Sequence, residues 1–101
     1  MSEAVEYIVT GLDGTDEGAP GRRLAVRAEH LAGAQRLADV GVLRSAAALV
    51  DDGGAMIGSS LHVEFPDEDA FRAWYDAEPY ITGGVWKDIT IQPVKFFRPA
   101  V

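Results

Sequence analysis

The stretch MIGSSLHVEFPDEDAFRAWYDAEPYITGGVWKDITIQPV, residues 56–94, decides the fold. Its first ten residues alternate: Leu61, Val63 and Phe65 fall on one face, while Ser60, His62 and Glu64 fall on the other. That is the period-two pattern of a strand with one buried side, over Met56 to Phe65. The period then changes. Asp67 is placed to cap a helix whose first turn carries Glu68 and Asp69, where the helix dipole favours negative charge. Ala70, Phe71 and Trp74 form its inner stripe, and Pro79 stops it. Gly83-Gly84 opens a loop before a last strand over Asp88 to Val94.

Working back toward the N-terminus, the same pattern of elements repeats. Val5 to Thr10 alternates and is rich in β-branched and aromatic residues, which predicts a strand. Gly11 to Gly21 (GLDGTDEGAPG) reads as a loop whose acids serve solvation. The spacing Asp13-x-x-Asp16-Glu17 lacks the repeated ligand pattern of a calcium loop, so no metal site is expected. From about Leu24 to Val40 the spacing is helical, with Leu31, Ala34, Leu37 and Ala38 on one face and Gly41 placed to end it. Val42 to Val50 is a second strand, weakened by its alanines, and Asp51-Asp52-Gly53-Gly54 has turn chemistry.

The order is β-α-β-β-α-β over a single domain, residues 1–101. It predicts the α+β split βαβ, ferredoxin-like plan: a four-stranded antiparallel sheet with two helices on one face. The other sheet face is left bare. A second copy packed sheet against sheet would cover it, enclosing a chamber beside the imidazole of His30.

Composition narrows the partners. The chain has 16 acidic residues against 9 Lys and Arg, a net charge of −7, and no Lys/Arg cluster of the kind that binds phosphate backbones. Nucleic acid and anionic membrane surfaces are therefore not expected. Hydrophobic residues make up 48% and charged ones 25%, the balance of a globular domain. There is no cysteine, so thiolate catalysis and disulfides are excluded, in keeping with a cytoplasmic protein. No apolar run is long enough to span a membrane, and Met1-Ser2-Glu3 does not begin a secretory signal.

Two groups of residues suggest chemistry. His30 shares a helical stripe with Ala34 and Leu37, and Arg27 and Arg23 lie three and seven residues earlier on that stripe. Guanidinium groups beside an imidazole favour its neutral, proton-accepting form. The plainer reading makes both arginines solvated charges near the helix start. Glu78-Pro79-Tyr80 is the second group: a carboxylate held by a proline could orient an imidazole or act as an acid itself. Its plainer reading is a charge at a helix end, with Tyr80 as packing. His62 reads as a structural or surface histidine, on the face that a twin would cover.

Arg23-Leu24-x-Val26-Arg27-x-x-His30-Leu31, Gly58-Ser59, Glu64-Phe65, Ala73-Trp74, Glu78-Pro79-Tyr80-x-x-x-Gly84-Val85 and Pro93-x-Lys95-x-Phe97 together resemble the YciI-like (YCII-related) family. The resemblance runs from about Tyr7 to Phe97. It implies a homodimeric α/β-barrel with one small-molecule pocket per subunit, holding a His and an acid as an acid/base pair. It also implies dehydrochlorinase- or isomerase-like chemistry without metal or organic cofactor. Carried over, the His is His30, the flanking arginine Arg23 and the small hydroxyl residue Ser59, with Arg27 and Tyr80 as further ligand contacts. The chain departs from the family at the acid, where Glu78 stands in place of Asp. An extra methylene would move the carboxylate by more than an ångström, a distance that matters for a catalytic pair. The alternative is a non-catalytic ligand-binding or accessory dimer.

Overall fold

The computed structural model describes residues 3–99. Strand β1 (Val5–Asp13) is followed by α1 (Ala19–Asp39), β2 (Leu43–Val50), β3 (Met56–Phe65), α2 (Glu68–Ala77), α3 (Pro79–Thr82) and β4 (Trp86–Pro93). The four strands form one sheet in the order β2-β3-β1-β4. Every neighbouring pair is antiparallel. This is the ferredoxin-like α+β plan, with the helices on one sheet face.

Alternation decides which residues that face receives. Val9 pairs with Leu61 on one side and Ile91 on the other. Val9, Leu61, Val63, Phe65 and Phe71 are essentially sealed and form the centre of the core. Tyr7 meets Phe71 edge-on, with ring centroids 4.6 Å apart. The opposite face presents Ile8, Thr10, Ser60 and His62 and has no covering element among the described residues. Leu12 on that face is 42% exposed. Part of it is crossed by the segment after β4, where Phe96 stacks on His62 and Arg98 bonds to Glu64.

Asp67 caps α2 by accepting from Ala70 N at 2.8 Å, as its position before the acidic first turn implies. Three boundaries differ from the sequence reading. Strand β1 continues three residues past Thr10, because Gly11 lets the chain run under Trp86: a Cβ at Gly11 would lie 2.2 Å from Trp86 Cδ2. Helix α1 starts at Ala19 rather than near Leu24, because Pro20 sits in its first turn, where a missing N–H costs nothing. Pro79 ends α2 but also opens α3, capped by the Glu78 side chain, which accepts from Tyr80 N. The turn α3 packs against both longer helices.

The inner face of α1 also differs. Leu31 is 47% exposed and Ala38 is exposed, while Arg23 and His30 are buried, with Val26 and Leu37 half-buried beside them. The inward stripe is polar over its first half. Apolar spacing alone therefore placed it off by about one position. No helix among the described residues is long and apolar enough to cross a membrane.

Candidate active site

The site lies between α1 and the β2–β3 edge of the sheet, on the helix side. Helix α1 supplies Arg23, Arg27 and His30; β3 supplies Ser59 and Leu61; α3 supplies Tyr80. The edge strand β2 contributes Ala46 and Ala48 to the wall, whose partners across the ladder are Leu61 and Ser59. Because those side chains are single methyls, α1 and the edge strand leave a cavity of about 210 Å³. Since a cavity near 150 Å³ is enough to hold benzene, this one has room for a single substituted ring. The cavity beside His30 is thus not on the face that a covering twin was expected to enclose but on the helix side of the sheet. His30 projects from a helix, and helices occupy only that side. His62 instead sits on the open face, 3.2 Å from Ser45 Oγ.

His30 lines this cavity, and behind it His30 Nδ1 hydrogen-bonds Glu78 Oε1. The same Oε1 accepts from Tyr80 N at 3.1 Å. Glu78 is 3% exposed and His30 8%. The carboxylate is held by the cap geometry of its own helix, so the longer Glu side chain still reaches the imidazole. The displacement expected from the extra methylene does not separate the pair. With Nδ1–H donating to a carboxylate, Nε2 carries the lone pair. Nε2 has no hydrogen-bond partner among the described residues, and the ring borders the cavity. Tyr80 stacks on the imidazole almost parallel, with centroids 3.8 Å apart and planes 7° from coplanar. Trp86 meets His30 and Tyr80 edge-on. Burial pushes the Tyr80 phenol above its ordinary pKa.

The two arginines part company. Arg23 is buried and donates from Nη1 to both carboxylate oxygens of Asp13 at 2.9 Å, and from Nη2 to Ser59 Oγ and Gly58 O at 3.3 Å. Its guanidinium also lies over the Tyr80 ring, 4.9 Å from the centroid. The flanking arginine Arg23 is therefore held by a carboxylate and by the Ser59 hydroxyl rather than standing free in the cavity. Arg27 is exposed, lines the same cavity as His30 and has no ion-pair partner among the described residues.

Asp13 and Trp86 were missed by sequence reasoning. Asp13 looked like a solvated loop acid, yet its side chain is 5% exposed. The signal was present: carrying the alternation of Val5, Tyr7 and Val9 through Gly11 puts Asp13 on the helix side. Trp86 precedes the expected strand start and donates from Nε1 to Ser59 Oγ at 3.3 Å. Among the described residues, no three His, Cys, Asp or Glu side chains gather as a metal set.

The profile of the YCII-related domain family matches residues 7–95. The chain is 36% identical over 95 residues to protein YciI of Escherichia coli O6:H1 (strain CFT073), covering 88% of this chain and 95% of that one. In three dimensions it is similar to the 5-chloro-2-hydroxyhydroquinone dehydrochlorinase of Burkholderia phenoliruptrix AC1100, solved in complex with 2,5-dihydroxybenzoquinone. The TM-score is 0.76 at 18% identity, over 89% of this chain and 93% of the other. Rv0793 of Mycobacterium tuberculosis shares the fold at TM-score 0.54 and 15% identity, over 98% and 100% of the two chains. A matched profile over nearly the whole length, with a full-length relative at this identity, places the chain in the YCII-related domain family.

Proposed function

We propose that this protein is a cofactor-free acid/base catalyst of lyase or isomerase type, acting on a small hydroxylated ring. His30 is the base and Glu78 its orienting carboxylate. One observation carries the reading: a buried carboxylate fixes the imidazole so that its free nitrogen borders a ring-sized cavity. A base needs to be within reach of the proton it removes and to have its charged form stabilised, and this pair supplies both. His30 Nε2 takes a proton from an acidic O–H or C–H, while Glu78 stabilises the imidazolium. The proton returns to another atom in an isomerisation, or departs with a halide in an elimination. Neither course requires an external oxidant or reductant.

The dehydrochlorinase of the same fold, with its bound dihydroxybenzoquinone, supports a hydroxylated aromatic or quinonoid substrate. Arg27 at the mouth holds an anionic substituent, and Tyr80 forms the wall against which the ring lies. The working form is a homodimer joined through the open sheet face, whose half-exposed Ile8 and Leu49 and 42%-exposed Leu12 a second copy would cover.

The test is turnover of 5-chloro-2-hydroxyhydroquinone, followed by absorbance, for wild type and His30→Ala. The variant should lose about 10²-fold or more in kcat/KM. Unchanged turnover would remove His30 from the mechanism. Tight binding of 2,5-dihydroxybenzoquinone with no turnover of any hydroxylated ring would instead favour a ligand-binding module.

A further inference from the structure

Ser59 lies on β3 in the cavity wall and is 4% exposed. A serine hydroxyl has two acceptor lone pairs and one proton. Here both lone pairs are used: Arg23 Nη2 and Trp86 Nε1 each donate to Oγ at 3.3 Å. Neither neighbour can accept, since a guanidinium and an indole N–H are donors only. The hydroxyl makes no donated bond to any described residue, so its proton is left for whatever occupies the cavity. Arg23 is kept in this role by Asp13, whose two carboxylate oxygens hold Nη1, and by the Tyr80 ring beneath the guanidinium.

We propose that Asp13 and Arg23 are positioning residues that lock the Ser59 hydroxyl as a donor into the cavity, so the ligand must present an acceptor oxygen there. The inference rests on the acid/base reading of the site and sharpens its substrate class. With Nδ1–H given to Glu78, a neutral His30 offers a lone pair at Nε2, while Ser59 offers a hydrogen-bond proton. A complementary ligand therefore carries a hydroxyl or acidic C–H toward His30 and a carbonyl or incipient oxyanion toward Ser59. Simple phenols without a second oxygen satisfy only half the site. As the base removes its proton, negative charge moves onto the carbonyl oxygen, and a donor already in place stabilises that charge without reorganising.

The experiment uses 2,5-dihydroxybenzoquinone as the probe, with its carbonyl stretch read by infrared difference spectroscopy on the full chain. A donated hydrogen bond lowers that stretch. Ser59→Ala, which removes the hydroxyl with little change of shape, should raise the stretch of bound probe and weaken binding by about tenfold at most. Ser59→Thr should restore the wild-type stretch. Asp13→Asn should move the stretch part of the way while far-UV circular dichroism stays unchanged, an effect that a purely structural salt bridge would not produce. An unchanged stretch and affinity in Ser59→Ala overturns the proposal even if His30-dependent turnover stands. A Ser59-dependent shift alongside full turnover in His30→Ala upholds it and sinks the catalytic reading. Failure of the wild-type protein to bind the probe overturns both.

Discussion

Replacing Glu78 by Ala should cost about 2–4 kcal/mol of folding stability, a sum that follows from two contacts on one oxygen. Oε1 caps α3 by accepting from Tyr80 N, a contribution of about 1 kcal/mol for a side-chain cap. It also accepts from His30 Nδ1; removing it leaves a buried donor unsatisfied at a further cost of about 1–3 kcal/mol. Urea denaturation at pH 7 measures the sum. With a slope near 1–1.5 kcal/mol/M for a chain of this size, the midpoint should fall by about 1.3–4 M. The double variant with His30→Ala separates the pair from the cap, because without the imidazole no donor is orphaned. The two single changes should then be non-additive by about 1–3 kcal/mol. Additivity within about 0.5 kcal/mol would refute the claim that the carboxylate and the imidazole are coupled.

Other consequences are as direct. Ala48→Leu should abolish binding of a single-ring probe while leaving the melting temperature nearly unchanged, since the side chain enters the cavity from an edge strand and displaces no core atom; calorimetric titration and scanning calorimetry check the two halves. Gly11→Ala should destabilise by about 1–3 kcal/mol or more, because its Cβ would overlap the Trp86 indole at 2.2 Å, and thermal denaturation reads the loss. At high pH, the raised pKa of Tyr80 means the folded chain keeps a phenol proton that the unfolded chain releases near pH 10. The unfolded state then binds fewer protons, so stability falls as pH rises above about 10. Tyr80→Phe should flatten that decline in urea midpoints measured between pH 9 and 11; the contribution of Tyr7, raised chiefly by its hydrogen bond to Glu68, remains.

The half of the chain from Met56 onward was the most legible, because its alternation, cap and proline each act locally. The strand β3 occupies the span that its pattern implies, and Asp67 caps as its position suggests. The first half was harder for an identifiable reason. The inner stripe of α1 carries Arg23 and His30 where a helix built only for packing would carry leucines, so its hydrophobic periodicity is misleading. Gly11, which reads as the start of a loop, is in the strand because Trp86, 75 positions later in the chain, needs the space of its missing side chain. A close approach between such distant residues has no local signature. The alanines of β2 weakened it as a strand for the same reason that they matter: Ala46 and Ala48 are small because they border empty volume.

The placement of those alanines separates the shape of the cavity from the stability of the fold. The buried pair His30 and Glu78 is tied to the core, where any change in size disturbs folding. The facing wall belongs to a terminal strand bonded on one side only, to β3. Enlarging or shrinking positions 46 and 48 reshapes what can enter without touching the His30–Glu78 pair. Libraries confined to this strip should therefore yield folded variants with shifted ligand preference at high frequency.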